Sequence, residues 1–394
     1  MAAVSVLQGG PQPTLTGFRY LELGCGDATN LIPLARYRPE SRFAGIDGSE
    51  RLIQAAVSER NANALSNLTL RRGSFAETLG EETGPFDYIV LHGVFSWVDD
   101  ETRDLLLEFA GRALASDGLL YVSYNALPGW NVRGLVRDYL CAHTRASGDL
   151  CARVAAAKDA AGRIAKTLLS SAHPYSRLLG GEFALARDGG ESYVAHEYLA
   201  ETNRAYWQSE VATLAEARGL SVVGDADLGY PNAAAPPGVR EWIAAEKLEA
   251  RGMGDTVDLL CYAQFRCALL CRQEAPRAPF DVNVLARMRV VSDMVVHDAD
   301  GEVSLKTRDG LDVNFDDAAM KQRFIDITGR PSVPALDIVS PTAQSVDDLA
   351  VLHRNGAVEL RLWESSVPLC PVLSEREHKV RGEHTSPQHR RIRV

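Results

Sequence analysis

Apolar and polar positions along the first 125 residues follow two periods in turn. Short apolar runs of strand length ("FRYLEL", "RFAGID", "NLTLRRG", "FDYIVLHG", "LLYVSYN") are separated by stretches in which apolar residues recur every three or four positions. "NLIPLARY" has helical spacing, with Pro33 in the first turn, where its missing N–H costs little. "SERLIQAAVSERNANAL" is amphipathic, with Ser49 as N-cap. "DETRDLLLEFAGRALASDG" predicts a helix closed by Gly118. "FDYIVLHG" is nearly all apolar, as strands buried on both faces are. Alternating strands and helices of this size predict an α/β fold around a parallel sheet wrapped on both faces.

The pattern changes after residue 130. "NVRGLVRDYLCAHTRASGDLCARVAAAKDAAGRIAKTLLSSA" is Ala-rich and helical, and "HPYSRLLGGEFALARDGGESYVAHEYLAETN" reads as loop-rich. The α/β alternation then resumes with "AYWQSEVATLAEARG", stopped at Gly219, and the strands "LSVVGDA" and "FRCALLCR". One sheet (1–130 with 205–273), interrupted by a mostly helical insertion or lid (131–204), accounts for this. The insertion leaves the end of strand five, where ligands sit in open α/β sheets. The Pro-bearing "QEAPRAPFD" leads to a smaller α+β domain (275–372), regulatory or substrate-selecting, with a hairpin over "RDG". Residues 373–394 are polar, basic and aperiodic, and are expected to be disordered.

Composition narrows the classes. At 394 residues, 46% hydrophobic and 24% charged, the chain supports more than one core. A net charge of -10 argues against a nucleic-acid surface. No eighteen-residue apolar run suggests a membrane span, and the N-terminus lacks the regions of a signal peptide. Seven cysteines without a Cys-x-x-Cys pair predict neither a disulfide framework nor a zinc site, and a cytoplasmic location. Cys261, Cys267 and Cys271 are expected to be buried, inert thiols.

"YLELGCGDATN" (20–30) is the stretch with chemistry in it. Gly24 and Gly26 end strand one in a turn that lets a ligand approach the backbone, and the following helix offers free amides. A dinucleotide loop would place a third glycine where Thr29 stands. Glu22 and Asp27 would repel a pyrophosphate; they suit a ligand with a positive end, such as S-adenosylmethionine. Asp47, twenty-one residues after Gly26 at the end of strand two, is placed to accept ribose hydroxyls. Ser74 and Phe75, after strand three, fall where an adenine would lie.

Together these residues resemble class I S-adenosylmethionine-dependent methyltransferases. "FDYIVLHGVFSWV", "LLYVSYNALPGW", "HEYLAETNRAYW" and "FRCALLC" further resemble the bacterial group with a methyltransferase regulatory domain, which includes rickettsial-type protein-lysine methyltransferases. The resemblance covers residues 18 to 273. It implies a seven-stranded Rossmann-like sheet, S-adenosyl-L-methionine as cofactor, no metal, and an amine acceptor. It implies cofactor contacts from Glu22, Gly24, Gly26, Asn30, Asp47, Ser74, Phe75 and His92. Two departures stand out: Ala28 occupies the place of a third loop glycine, and about seventeen residues precede strand one where lysine-methylating relatives carry more.

Methyl transfer from a sulfonium is an in-line displacement, so alignment is the main task of the protein. An amine acceptor must also lose a proton. His92, Tyr124, Asn125 and Glu197 are the candidate catalytic groups. Phe95, Trp97, Trp130, His196 and Tyr198 are candidate walls of the substrate pocket, since aromatic faces favour cations. "HEYLA" at 196–200 is not a zinc-protease motif, because Ala200 replaces the second histidine. The leading acceptor is a protein or peptide lysine. The alternatives are a small-molecule N- or O-methyltransferase of specialised metabolism, and a non-catalytic S-adenosylmethionine-binding adaptor. A homodimer is compatible with each.

Overall fold

The five apolar runs form β1 (Arg19–Leu23), β2 (Arg42–Asp47), β3 (Leu68–Arg72), β4 (Phe86–Leu91) and β5 (Leu114–Ala126). A two-residue β6 (Ala205–Tyr206) is followed by β7 (Leu220–Asp225) and β8 (Phe265–Arg272). In this computed structural model the described residues are 1–362 except 81, 83, 229–237, 240, 241, 243–249, 279, 280, 293, 300, 301, 308–311, 316, 331 and 355. The sheet order is β3-β2-β1-β4-β5-β8-β7, with β6 paired to the end of β5. The strands from β1 to β5 pair in parallel, and β8 runs antiparallel to both β5 and β7. The fold is the expected Rossmann-like one.

Helices fill the connections: α1 (Ala2–Leu7), α2 (Leu31–Tyr37), α3 (Glu50–Ala62), α4 (Phe75–Thr78) and α5 (Asp100–Ala113). The Ser49 hydroxyl caps α3, accepting from Leu52 N at 3.4 Å. The helix expected to close at Gly118 ends at Ala113 instead. Gly118 lies inside β5, where a Cβ would stand 2.8 Å from the Phe86 carbonyl oxygen. There the glycine serves close strand approach and not a helix stop.

The insertion is α6 (Trp130–Thr144), α7 (Leu150–Leu169), α8 (Pro174–Asp188) and α9 (Glu191–Leu199). The part read as loop-rich is therefore largely helical. His173 caps α8 with Pro174 at its first position. Gly180 is a contact point: a Cβ there would lie 3.0 Å from the Leu169 side chain, so glycine lets α7 and α8 close. Val136, Leu140, Val154, Ala157, Ala161, Phe183 and Tyr198 form the insertion's own core.

α10 (Gln208–Glu216) and α11 (Ala250–Cys261) complete the sheet's surroundings. Arg266 on β8 pairs with Asp258 of α11 (Nε–Oδ1 3.0 Å) and Asp225 of β7 (3.1 Å), and all three are buried. Of the three cysteines expected to be buried, Cys271 is; Cys261, at the end of α11, and Cys267, which packs against the core, are partly exposed. The Cys267 thiol accepts from Tyr121 Oη at 3.0 Å.

One sheet face packs Leu21, Ile89 and Leu120 against Leu106, Phe109 and Val211 of α5 and α10. The other packs Tyr20, Tyr88, Tyr121 and Leu269 in one continuous core with α1–α3 and residues beyond 280. Those later residues form β9 (Arg289–Ser292), β10 (Met294–Ala299), β11 (Glu302–Thr307), β12 (Asp312–Val313), α12 (Ala318–Ile327), β13 (Val333–Pro334), α13 (Ala343–Arg354) and β14 (Val358–Arg361). Two small sheets result, β10-β11-β12 and β13-β9-β14. β11 and β12 are antiparallel as a hairpin requires, although the "RDG" turn lies outside the described residues, as does the 373–394 tail.

Candidate functional site

The glycine loop is held by its backbone. Gly24 N and Cys25 N donate to the Ile46 carbonyl at 2.8 and 3.1 Å. Gly24 has φ +78°, and a Cβ on it would lie 2.4 Å from Val94 Cγ2. Gly26 has φ +56° and no atom within 4 Å of where a Cβ would be, so its outer side is open. Ala28 is fully buried at φ +58°, a left-handed conformation that glycine would adopt without strain.

Asp47 closes the loop from β2. Its Oδ2 accepts from Gly26 N at 2.9 Å and its Oδ1 from Ser49 N at 2.8 Å. Each oxygen keeps a lone pair for a further donor. Asn30, at the start of α2, makes no capping bond; its Nδ2 donates to Glu22 Oε2 at 3.0 Å and to Tyr20 Oη at 3.2 Å. Burial pushes the Glu22 carboxyl up to about 8, partly offset by the Asn30 bond and reinforced by Asp27. Glu22 is thus largely protonated at neutral pH.

Ser74 and Phe75 begin α4. The Ser74 hydroxyl and N–H are both engaged by Glu77 in a capping box, with Ser74 N to Glu77 Oε2 at 2.9 Å. Phe75 packs on the core beside α5. His92 is half-buried at the end of β4, its ring edge-on to Tyr121 at 5.9 Å.

The loop from β4 to α5 is fixed from three sides. Ser96 Oγ accepts from Asn125 N at 2.8 Å, and Ser96 O accepts from Arg204 N at 2.9 Å. Arg103, buried on α5, donates to the carbonyls of Phe95 (3.2 Å) and Val98 (2.8 Å). An open cleft of about 520 Å³ lies beside this loop, between Val98–Arg103 and Thr202–Arg204, away from the glycine turn.

Trp97 projects from that loop and meets the insertion. Its ring lies 4.1 Å from His196 of α9 and 6.3 Å, edge-on, from Trp130 of α6. Trp130 Nε1 donates to Asn203 Oδ1 at 2.8 Å, and the Arg133 guanidinium stands 5.2 Å from the Trp130 ring. Arg133 in turn pairs with buried Glu182 of α8 at 3.1 Å, and Gln264 beside β8 donates to the same carboxylate at 2.8 Å.

The structure therefore brings Glu22, Gly24, Gly26, Asn30 and Asp47 together at one end of β1. It brings Asn125, Trp97, Trp130 and His196 together past β4 and β5. Phe95, read as a pocket wall, and Tyr124, read as a catalytic group, lie in the core packed with Tyr206, at most 1% exposed. Tyr198 is fully buried in the insertion's core, and Glu197 beside it is buried also. Ser96, Arg103, Asn203, Arg133 and Glu182 were not anticipated. Arg103 had a readable signal: it falls on the same helical stripe as the core residues Leu106, Leu107 and Ala110. Among the described residues no group of three or more His, Cys, Asp or Glu could hold a metal, and no helix is long and apolar enough to cross a membrane.

Residues 21–120 match the model of a methyltransferase domain, and residues 190–272 match that of a predicted methyltransferase regulatory domain. The second match runs from α9 to β8 and stops before the C-terminal sheets. An uncharacterized protein of Rickettsia prowazekii (strain Madrid E) is 35% identical over 191 residues, 48% of this chain and 76% of that protein. A second from the same organism is 30% identical over 275 residues, 70% of this chain and 49% of its own length. The chain thus spans about half the length of that relative. PKMT2 from Rickettsia typhi in complex with AdoHcy has the same fold, with TM-score 0.72 over 91% of this chain and 75% of that one at 24% identity. Sheet order, glycine loop and matched segments agree, and the chain belongs to the class I methyltransferases that carry a methyltransferase regulatory domain.

Proposed function

We propose that the protein transfers a methyl group from S-adenosyl-L-methionine to an amine, with a protein or peptide lysine as the leading acceptor. The observation that carries this reading is the loop at β1: Gly26 is open to a ligand, and Asp47 both holds the loop and keeps lone pairs for a ribose. Asn30 suits the methionine end, as does Glu22, whose carboxyl ionises when an ammonium stands against it, and half-buried His92 borders the place between the two clusters. When bound, the cofactor supplies an activated methyl on a sulfonium. The remaining work falls to the chain. Trp97 and Trp130 offer aromatic faces to a cationic amine. Asn125, 2% exposed, orients it through its side-chain oxygen, which accepts from the amine. His92 or Glu197 takes its proton.

In this reading residues 1–130 with 205–273 are the cofactor-binding unit, 131–204 the lid, and 275–372 a unit acting in substrate selection. A small-molecule acceptor is the second reading. It is favoured by the near-complete burial of Asn125 and Trp130, which suits a slim or small substrate.

Calorimetric titration with S-adenosylhomocysteine, on wild type and on Asp47→Ala, tests the cofactor site. Binding to wild type that is lost in the folded variant is expected; a folded wild type that does not bind overturns the reading. Transfer of labelled methyl to host proteins, against transfer to a small-metabolite fraction, then separates the two acceptor classes.

A further inference from the structure

Two side-chain amides beside the end of β5 carry NH₂ groups that are shut off from solvent and have no acceptor among the described residues: Asn125 Nδ2 and Asn203 Nδ2. Buried donors without partners are rare in native proteins and point to an acceptor that arrives from outside.

The orientation of Asn203 is set by chemistry. The Trp130 indole can only donate, so the Asn203 oxygen must face it, at 2.8 Å, and the NH₂ must face away. Trp130 is itself held by Arg133, which Glu182 fixes. The main chains that carry the two amides are anchored on one residue: Ser96 Oγ takes the main-chain N–H of Asn125, and Ser96 O takes that of Arg204, the neighbour of Asn203. Both therefore sit against the loop that carries Trp97. Aromatic faces there suit a cation, and the two donors suit an oxygen.

We infer that Asn203, together with Asn125, binds a carbonyl or carboxylate oxygen of the methyl acceptor. The inference rests on the methyl-transfer reading and deepens it: the acceptor carries an sp² oxygen in addition to its amine. A peptide main-chain carbonyl and the carboxylate of a free amino acid share this chemistry; a plain alkylamine has neither.

The test measures affinity by NMR titration on the full chain saturated with S-adenosylhomocysteine. The probes are Nα-acetyl-lysine methylamide, lysine and pentylamine. Wild type is expected to favour at least one oxygen-bearing probe over pentylamine by roughly tenfold to a hundredfold. Preference for the blocked lysine identifies a peptide carbonyl, and preference for free lysine identifies a carboxylate. The ratio is expected to collapse in Asn203→Asp, which keeps the acceptor for Trp130 but loses the donor, and in Asn203→Leu. It is expected to fall in part in Trp130→Phe, which frees the amide to rotate. Thermal unfolding shows whether each variant is folded.

A wild-type ratio near one, or a ratio intact in both Asn203 variants, overturns the inference. Loss of S-adenosylhomocysteine binding in the Asn203 variants overturns it too, because the donors would then belong to the cofactor. Failure of wild type to bind S-adenosylhomocysteine is a separate result: it removes the methyl-transfer reading on which the inference stands.

Discussion

Replacing Glu22 by Gln removes one ionisable group from under the glycine loop while keeping its shape and an oxygen for Asn30. In the folded chain burial raises the carboxyl from 4.5 to about 8, so the folded state holds a proton that the unfolded state releases. Stability from this group is complete below pH 4.5 and is lost as pH rises toward 8. At about 1.4 kcal/mol per unit, the loss amounts to about 3 kcal/mol at pH 7 and at most about 5 kcal/mol above pH 8. Glu22→Gln escapes it. Urea unfolding of the ligand-free proteins, repeated from pH 5 to 8.5, should show the variant gaining on wild type by about 1 kcal/mol per pH unit. Taking the difference between the two chains cancels every other titration. A difference that stays flat, or a variant less stable than wild type at pH 8, refutes the claim that Glu22 is buried and protonated.

Arg266→Met leaves Asp225 and Asp258 buried without their cation, which costs about 3–5 kcal/mol at pH 7. The loss read by urea unfolding should shrink near pH 5, because burial already lifts Asp258 to about 6 and it takes up a proton there. Gly24→Ala forces a left-handed alanine against Val94 and should abolish S-adenosylhomocysteine binding in calorimetry while lowering the melting temperature. Ala28→Gly, in the same loop and alike in backbone, should stay within about 1 kcal/mol of wild type. Relief of about 1–2 kcal/mol of left-handed strain there offsets about 0.8 kcal/mol for the lost methyl and about 0.5–1 kcal/mol of added chain entropy.

The sheet was legible because each central strand is a continuous apolar run bounded by turn residues, a signal contained within ten positions. Asp47 and the glycines were legible for the same reason: their spacing is local to one strand–loop–strand unit. α8 was hidden by Gly180 and Gly181, which argue against a helix until the neighbouring α7 is known to press on the first. The capping box Ser74–Glu77 was legible in "SFAE" as a serine followed three residues later by glutamate. Phe95 and Trp97 differ by two positions in one loop, and only the packing of Tyr206 and Arg103 decides that the first faces the core. Asn203 and Trp130 are 73 residues apart, so no periodicity could have joined them.

The continuous core behind β1, β4 and β5 has a consequence for how the chain can be divided. Tyr121, Leu269 and Cys271 share that core with α1 and with Met288, Val290 and Leu360. The Gly9 carbonyl takes the Ala278 N–H at 3.1 Å, stitching the first residues to the connection between the two parts. A cut near residue 275 would therefore expose aromatic and aliphatic side chains on one face of the sheet and give a product prone to self-association. The C-terminal strands work as an outer wall as well as an appendage, and unfolding them should loosen the cofactor loop from behind.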